Sequence, residues 1–311
     1  MIVNKGEEDL LEVTLLGCGG MLPMKERWLT SCLVSCQGHS ILIDCGEGTQ
    51  IALKCANRKT KPIDLICITH FHADHISGLP GMLLSMGNEG RTEPITIAGP
   101  AGIGRVVRSL CVIAPSLPFE IQIAEVQPLQ TISSAMLTVT PFEAKHGVRC
   151  YGYSVELPRK GRFLPEKAKA NGVPMCIWSQ LQREGEVMYE GTVYTYEMVS
   201  EGSRKGIKLT YCTDSRPTDT IAEGAAGADL MICEGLYYDP EKLSRAKKTG
   251  HMLFSEAAAL AKRANARRLW LTHFSPAVPD PEEGIHYAQT IFPAAECGYD
   301  GKSLDIPFDE S

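Results

Sequence analysis

No apolar run in this 311-residue sequence approaches the roughly 20 residues that a membrane-spanning helix needs, so no span is predicted. There is no CxxC pair. The 12 cysteines stand singly, which argues against a disulfide framework and favours a reducing compartment. There is no excess of positive charge either. The 31 Lys and Arg against 37 Asp and Glu leave a net charge of −6, which disfavours indiscriminate nucleic-acid binding but leaves room for a local basic patch. Gly17-Cys18-Gly19-Gly20 is not followed by Gly-Lys-Ser/Thr, so these glycines predict permissive turns rather than a nucleotide phosphate loop. The opening MIVNKGEEDLLEV is acidic and carries no signal-like apolar stretch, so a cytoplasmic protein is expected. Histidine is scarce, with eight residues in all.

What is present is ordinary globular material, 44% apolar and 22% charged. Short β-rich runs lie at 12–16, 32–35, 41–44, 63–69 and 95–98, with helical patterns at 48–56 and 102–110 between them. Strands follow at 136–141 and 151–157. The last third then alternates strands at 208–213, 229–234 and 268–272 with helices at 218–224, 255–264 and 281–292. This mixture predicts a layered α/β domain. The charged stretch 158–205 interrupts two convincing strands and shows no clear core pattern. It is expected to be an inserted arm, functional or mobile, with a small hairpin near 186–196.

Three of the eight histidines fall within six residues of CITHFHADHISGLPGML, directly behind the apolar run 63–68. On a tight loop leaving a strand, His70, His72, Asp74 and His75 can aim into one small volume. Imidazole and carboxylate are ligands that zinc accepts and that also suit manganese or iron. H-x-H-x-D-H is far more demanding than a polar turn that happens to be rich in histidine. Three later segments repeat the arrangement: His146 follows LTVTP, Asp214 ends TYCTD and His273 ends LWLTH. Open α/β sheets place their ligand sites at such carboxyl ends of strands. Seven candidate ligands are too many for one tetrahedral ion and suit two ions sharing a bridging carboxylate. Ions roughly 3.5–4 Å apart lower the pKa of a shared water and neutralise a phosphoryl centre, so a two-metal hydrolase is expected. Cys67 and Cys212, just ahead of ligand positions, read as small core residues. His39 and His286 read as surface residues.

In order along nearly the whole chain stand LLGCGGMLP, LIDCGEGTQ, THFHADHISGLPG, KHGVRCYGY, YCTDSRP, GHMLFSEAA and LTHFS. By these the sequence resembles the metallo-β-lactamase superfamily, and within it the ribonuclease Z family of endonucleases, which trim the 3′ trailer from precursor tRNA. The resemblance implies a single domain, a four-layer αβ/βα sandwich with the dimetal site at one edge and the inserted arm at 158–205. It implies two zinc ions per chain, with manganese or iron as other possible occupants. His70, His72 and His146 would hold one ion, Asp74, His75 and His273 the other, with Asp214 bridging. It further implies that Asp74 accepts the proton of the attacking water. His251 would contact the scissile phosphate and protonate the leaving 3′ oxygen, oriented by Glu234. The family precedent is a homodimer in which one subunit's arm reaches RNA bound by the other.

The sequence departs from the family pattern in three places. The family's His-Glu-Ala-Thr stretch is Cys233-Glu234-Gly235-Leu236 here. No arginine stands shortly after His273. The arm reads Gly172-Val-Pro-Met-Cys-Ile-Trp178 where the family has a Gly-Pro-rich tip. Arg159, Lys160, Arg162, Lys167 and Lys169 give the arm's start a basic face that could meet phosphates, or that is simply a solvated charge run. Two other functions therefore stay open at the level of sequence: a dimetal phosphodiesterase acting on a smaller substrate, and a metal-bound but catalytically silent RNA-binding or structural protein.

Overall fold

The computed structural model describes residues 10–202 and 204–309. In chain order the strands begin with β1 (Leu10–Gly17), β2 (Ser31–Cys36), β3 (His39–Ile43), β4 (Ile63–Cys67), β5 (Ile95–Gly99) and β6 (Ile121–Glu125). Next come β7 (Ile132–Ser134), β8 (Leu137–Lys145), β9 (Arg149–Arg159), β10 (Glu186–Tyr189) and β11 (Thr192–Thr195). The series ends with β12 (Arg204–Cys212), β13 (Leu230–Glu234), β14 (Leu269–Thr272), β15 (Ala295–Cys297) and β16 (Lys302–Pro307). They form two seven-stranded sheets, ordered β16-β1-β2-β3-β4-β5-β6 and β15-β14-β13-β12-β9-β8-β7, and a separate β10–β11 hairpin. Each large sheet is mixed. The first is parallel from β3 to β6 and the second from β12 to β15.

Burial on both faces of the strands explains the layering. In β1, Val13 and Leu15 are fully buried on one face while Thr14 and Leu16 are buried on the other. Parallel sheets covered on both sides need a helical layer outside and another layer within. The outer cover of the first sheet is the cluster of Leu42, Ile66 and Ile97 with Leu53, Met82, Leu83, Met86 and Val107. These last come from the helices Thr49–Cys55, Leu79–Asn88 and Ile103–Leu110. The helix Phe254–Arg263 covers β13 and β14. The sheets meet inside: the Tyr153 hydroxyl donates to the Ile68 carbonyl at 2.7 Å, and Tyr151 N–H to the Thr69 carbonyl at 3.0 Å. The result is the expected αβ/βα sandwich. Among the described residues no helix is long and apolar enough to cross a membrane.

Local differences from the sequence reading have physical causes. The strand expected at 136–141 runs on to Lys145 through Pro141, which lies where β7 has stopped pairing. The helix expected at 281–292 is a 3₁₀ turn, Pro281–Gly284, leading into a short helix, Ile285–Gln289. Helix Leu79–Asn88 was hidden by two glycines and by Pro80, which sits in its first turn where a missing N–H costs nothing.

Residues 157–206 with 308–309 form a second compact unit. Contrary to expectation it has a core, built from Ala168, Val173, Ile177, Leu181, Val187 and Val199. Val173, Ile177 and Leu181 recur at helical spacing, a signal interrupted by Pro174 and spread over a 3₁₀ turn and a seven-residue helix too brief to establish a period. The hairpin near 186–196 is present. Lys160 donates to the carbonyls of Gln182 and Arg183, both at 3.1 Å, and Lys167 to that of Glu197 at 2.8 Å. Lys169 pairs with Glu166, and Arg159 donates to the Asp309 carbonyl. Much of the basic face is thus engaged within the unit, although Lys160, Lys167 and Lys169 stay exposed, as does Arg162.

Candidate metal centre

Five apolar strands end where the chemistry begins. Asp44 follows β3, His70 stands three residues past β4, His146 follows β8, Asp214 stands two residues past β12 and His273 follows β14. Between His72 and Ser77 the chain makes one helical turn, Ala73–Ile76, which carries Asp74 and His75 inward, both buried. Asp44, Asp214 and His273 have φ of 59°, 51° and 58°. A non-glycine residue held there costs of order 1–3 kcal/mol and persists only where its surroundings over-determine it. Three such residues at one site are strain concentrated where side chains must be aimed.

The seven sequence candidates come together as two linked clusters. In the first, His70 Nε2 lies 3.0 Å from His72 Nδ1, which lies 3.3 Å from His146 Nε2. Asp214 Oδ2 completes it at 3.6 and 3.7 Å from the His70 and His146 nitrogens. In the second, His75 Nε2 and His273 Nε2 are 3.3 Å apart, and Asp74 Oδ2 lies 3.4 Å from His273 Nε2. Asp214 Oδ1 stands 3.1 and 3.0 Å from those two nitrogens. Ligands 2.0–2.1 Å from a tetrahedral ion are about 3.3 Å from one another. The observed separations therefore match the edges of two ligand tetrahedra that share Asp214. Asp214 Oδ1 is also buried without a hydrogen bond, because its short approaches to the imidazoles lack hydrogen-bonding geometry. An all-N/O donor set of this kind fits zinc, manganese or iron.

The far sides of the rings explain their orientation. His75 Nδ1–H donates to Asp44 Oδ2 at 2.8 Å, and His146 Nδ1–H to the Gly250 carbonyl at 3.2 Å. The Thr69 hydroxyl gives its proton to Asp44 and so can accept from His70 Nδ1–H at 3.1 Å. Each bond fixes a tautomer whose Nε2 lone pair faces the cluster. Asp44, Thr69 and Gly250 had no role in the sequence reading. The available signal was LIDCG, an acid closing an apolar strand. Gly20 has a role as well: a Cβ there would sit 2.6 Å from His273 Cε1, so glycine is needed to seat that ring.

His251 lies beside both clusters, 4.0 Å from Asp214 Oδ2. Its Nδ1–H donates to Glu234 Oε2 at 3.1 Å. Glu234 is fully buried and also accepts the N–H groups of Ser215 and Met252. Burial works against charge on His251, but the Glu234 carboxylate, by attraction and hydrogen bonding, lifts its pKa to about 9. Burial likewise opposes charge on Asp214, yet His273, His75 and His70 hold its carboxyl well below the usual range. His70 is pushed down to about 2 by burial and by His75. Despite its own burial His75 is raised well above its ordinary value by Asp214 and Asp44, a charge that a cation held at Nε2 would replace. His39, paired with Asp64, and His286 lie at the surface, away from these clusters.

Two family models match parts of the chain. One is described as a β-lactamase superfamily domain and covers residues 180–274; the other, described as anti-Pycsar protein Apyc1, covers residues 11–103. The ribonuclease Z of Agathobacter rectalis is 53% identical over 302 residues, 97% of this chain and 100% of the relative. That of Lachnoclostridium phytofermentans is 51% identical, again across 97% and 100%. The chain belongs to the ribonuclease Z family. Human tRNase Z, short form, shares the fold with a TM-score of 0.68 at 24% identity, covering 96% of this chain and 100% of that one. The metallo-β-lactamase fold protein YhfI from Bacillus subtilis does so at 0.69 and 20%, with the same coverage. Membership of the ribonuclease Z family makes the protein a metal-dependent hydrolase, an endoribonuclease. The departures at 233–236, after His273 and in the arm are variations within that family.

Proposed function

We propose that this protein removes the 3′ trailer from precursor tRNA, with two zinc ions held by His70, His72, Asp74, His75, His146, Asp214 and His273. Asp74, His251 and Glu234 form its proton-handling apparatus. The observation that supports this best is the division of Asp214, with Oδ2 toward one nitrogen cluster and Oδ1 toward the other. A cation pair at this position supplies an acidified water and neutralises charge on a phosphoryl group. Asp74, held well below the usual carboxylate range against its burial by the neighbouring His273 and His75, stays ionised, the form that a ligand or a proton acceptor must have. Its Oδ2 also accepts the Met21 N–H at 2.6 Å, which fixes its direction. Glu234 holds the His251 Nδ1–H, leaving Nε2 to serve the departing 3′ oxygen. A homodimer and a cytoplasmic location belong to the same reading.

The test is to incubate the purified protein with a trailer-bearing precursor tRNA and map the new 3′ end. A single cut at the trailer boundary is expected. A smaller phosphodiester is the second reading, favoured by the arm cations whose exposed side chains are already engaged with carbonyls and with Glu166. Turnover of a small diester with no cut in tRNA would select it.

The role given to Asp44 carries its own prediction. Asp44→Asn keeps the shape but loses the charge that fixes His75. Metal affinity should fall about 10–100-fold, the usual effect of removing such an outer partner. Competition with a chelator measures this, and unchanged affinity would remove Asp44 from the scheme.

A further inference from the structure

The β8–β9 hairpin carries more than His146. Lys145 and Arg149 are direct cross-strand partners on either side of the turn His146-Gly147-Val148, and both are exposed. Like charges directly opposite one another destabilise an antiparallel pair. Among the described residues no carboxylate lies within ion-pair distance of either cation. The main chain beneath them is nonetheless fixed: Lys145 N–H donates to Ser215 Oγ at 2.8 Å, and the Lys145 carbonyl accepts Arg216 N–H at 2.9 Å. The tip is therefore bound to the segment just past Asp214. The two cations line an open cleft of about 500 Å³ together with His146, Thr218 and Glu143. Glu143 is the one acid there, so two positive charges face one negative.

Holding His146 in place requires neither charge, and their mutual repulsion works against the strand pair. We propose that Lys145 and Arg149 form an anion subsite for the backbone phosphate next to the scissile one. The cleft shares His146 with the first metal cluster, so an anion bound in it would lie beside that cluster. A polynucleotide offers such a neighbour at every nucleotide. Arginine contributes a planar fork and lysine a point charge, and a phosphate between them relieves their repulsion. This rests on the chain acting on a polynucleotide, not on that polynucleotide being tRNA.

The test uses two pairs of chromogenic esters: thymidine 5′-(p-nitrophenyl phosphate) with and without a 3′-phosphate, and the 3′-ester with and without a 5′-phosphate. In at least one pair, wild-type kcat/KM should favour the extra phosphate by on the order of tenfold to a hundredfold. The ratio should fall close to one in Lys145→Ala/Arg149→Ala and persist in Lys145→Arg/Arg149→Lys. The alanine variant should melt no lower than wild type, because an opposed charge pair has been removed. A wild-type ratio near one in both pairs overturns the proposal. So does the same ratio in the alanine variant, or a loss of ratio that accompanies a lower melting point. The esters contain no tRNA, so failure to cut precursor tRNA would refute the trailer reading and leave this result interpretable.

Discussion

Asp214→Ala is expected to release both metal ions together and to abolish hydrolysis of every substrate. The reason lies in the two carboxylate oxygens. Oδ1 stands 3.1 and 3.0 Å from the His75 and His273 nitrogens, while Oδ2 faces those of His70 and His146 at 3.6 and 3.7 Å. Removing one side chain therefore takes a ligand from each cluster. It also leaves five imidazoles facing one another with one carboxylate fewer between them. Substitutions outside the ligand set cost about 10–100-fold in affinity, so losing a shared ligand should exceed that range in both sites. Elemental analysis after zinc-replete purification should find two ions in the wild type and none in the variant. His72→Ala is the contrast, since His72 belongs to the first cluster alone and sits at its solvent edge. It should lose one ion and keep the other. An Asp214→Ala protein that keeps two ions and its activity would mean that another group bridges.

Much of this centre was legible because five of its seven ligands are histidines, in a chain that has eight, and they stand behind strand ends. The run 63–68 is apolar enough to be a buried strand. The four polar ligands behind it have no reason to crowd there unless they share a partner. His146, Asp214 and His273 followed by the same logic, though each alone would have been ambiguous. What escaped notice is made of common letters. Asp44 looks like any acid in a turn until Thr69 and His75 are seen to converge on it. The Gly250 carbonyl has no side chain to notice, and the need for glycine at 20 appears only when His273 lies against it. The core of residues 157–206 was missed for a different reason. Its apolar residues are spaced across short helices and a hairpin, each too brief to establish a period by itself.

His251→Ala should lower kcat by roughly 10²–10⁴ while leaving metal content unchanged, the range expected when a general acid is removed. The loss should depend on the leaving group. An RNA 3′ oxygen needs a proton as it departs. p-Nitrophenolate does not, so turnover of its esters should recover most of the rate. Equal losses for both substrates would refute the acid role. Glu234→Gln tests how His251 is held. The amide can keep a hydrogen bond to Nδ1–H, but it no longer supports the charge that raises His251 to about 9 against its burial. The sign follows from the acid role: the protonated ring is the active form, so rate falls as pH rises through its pKa. Cations bound alongside would pull that pKa down, so the direction of its change is the quantity to measure. With Glu234→Gln the descending limb of the kcat profile should move to lower pH, and at neutral pH the defect should be milder than that of His251→Ala. If the limb stays where it is in wild type, either His251 is not the titrating acid or Glu234 does not tune it, and the p-nitrophenyl ester comparison decides which.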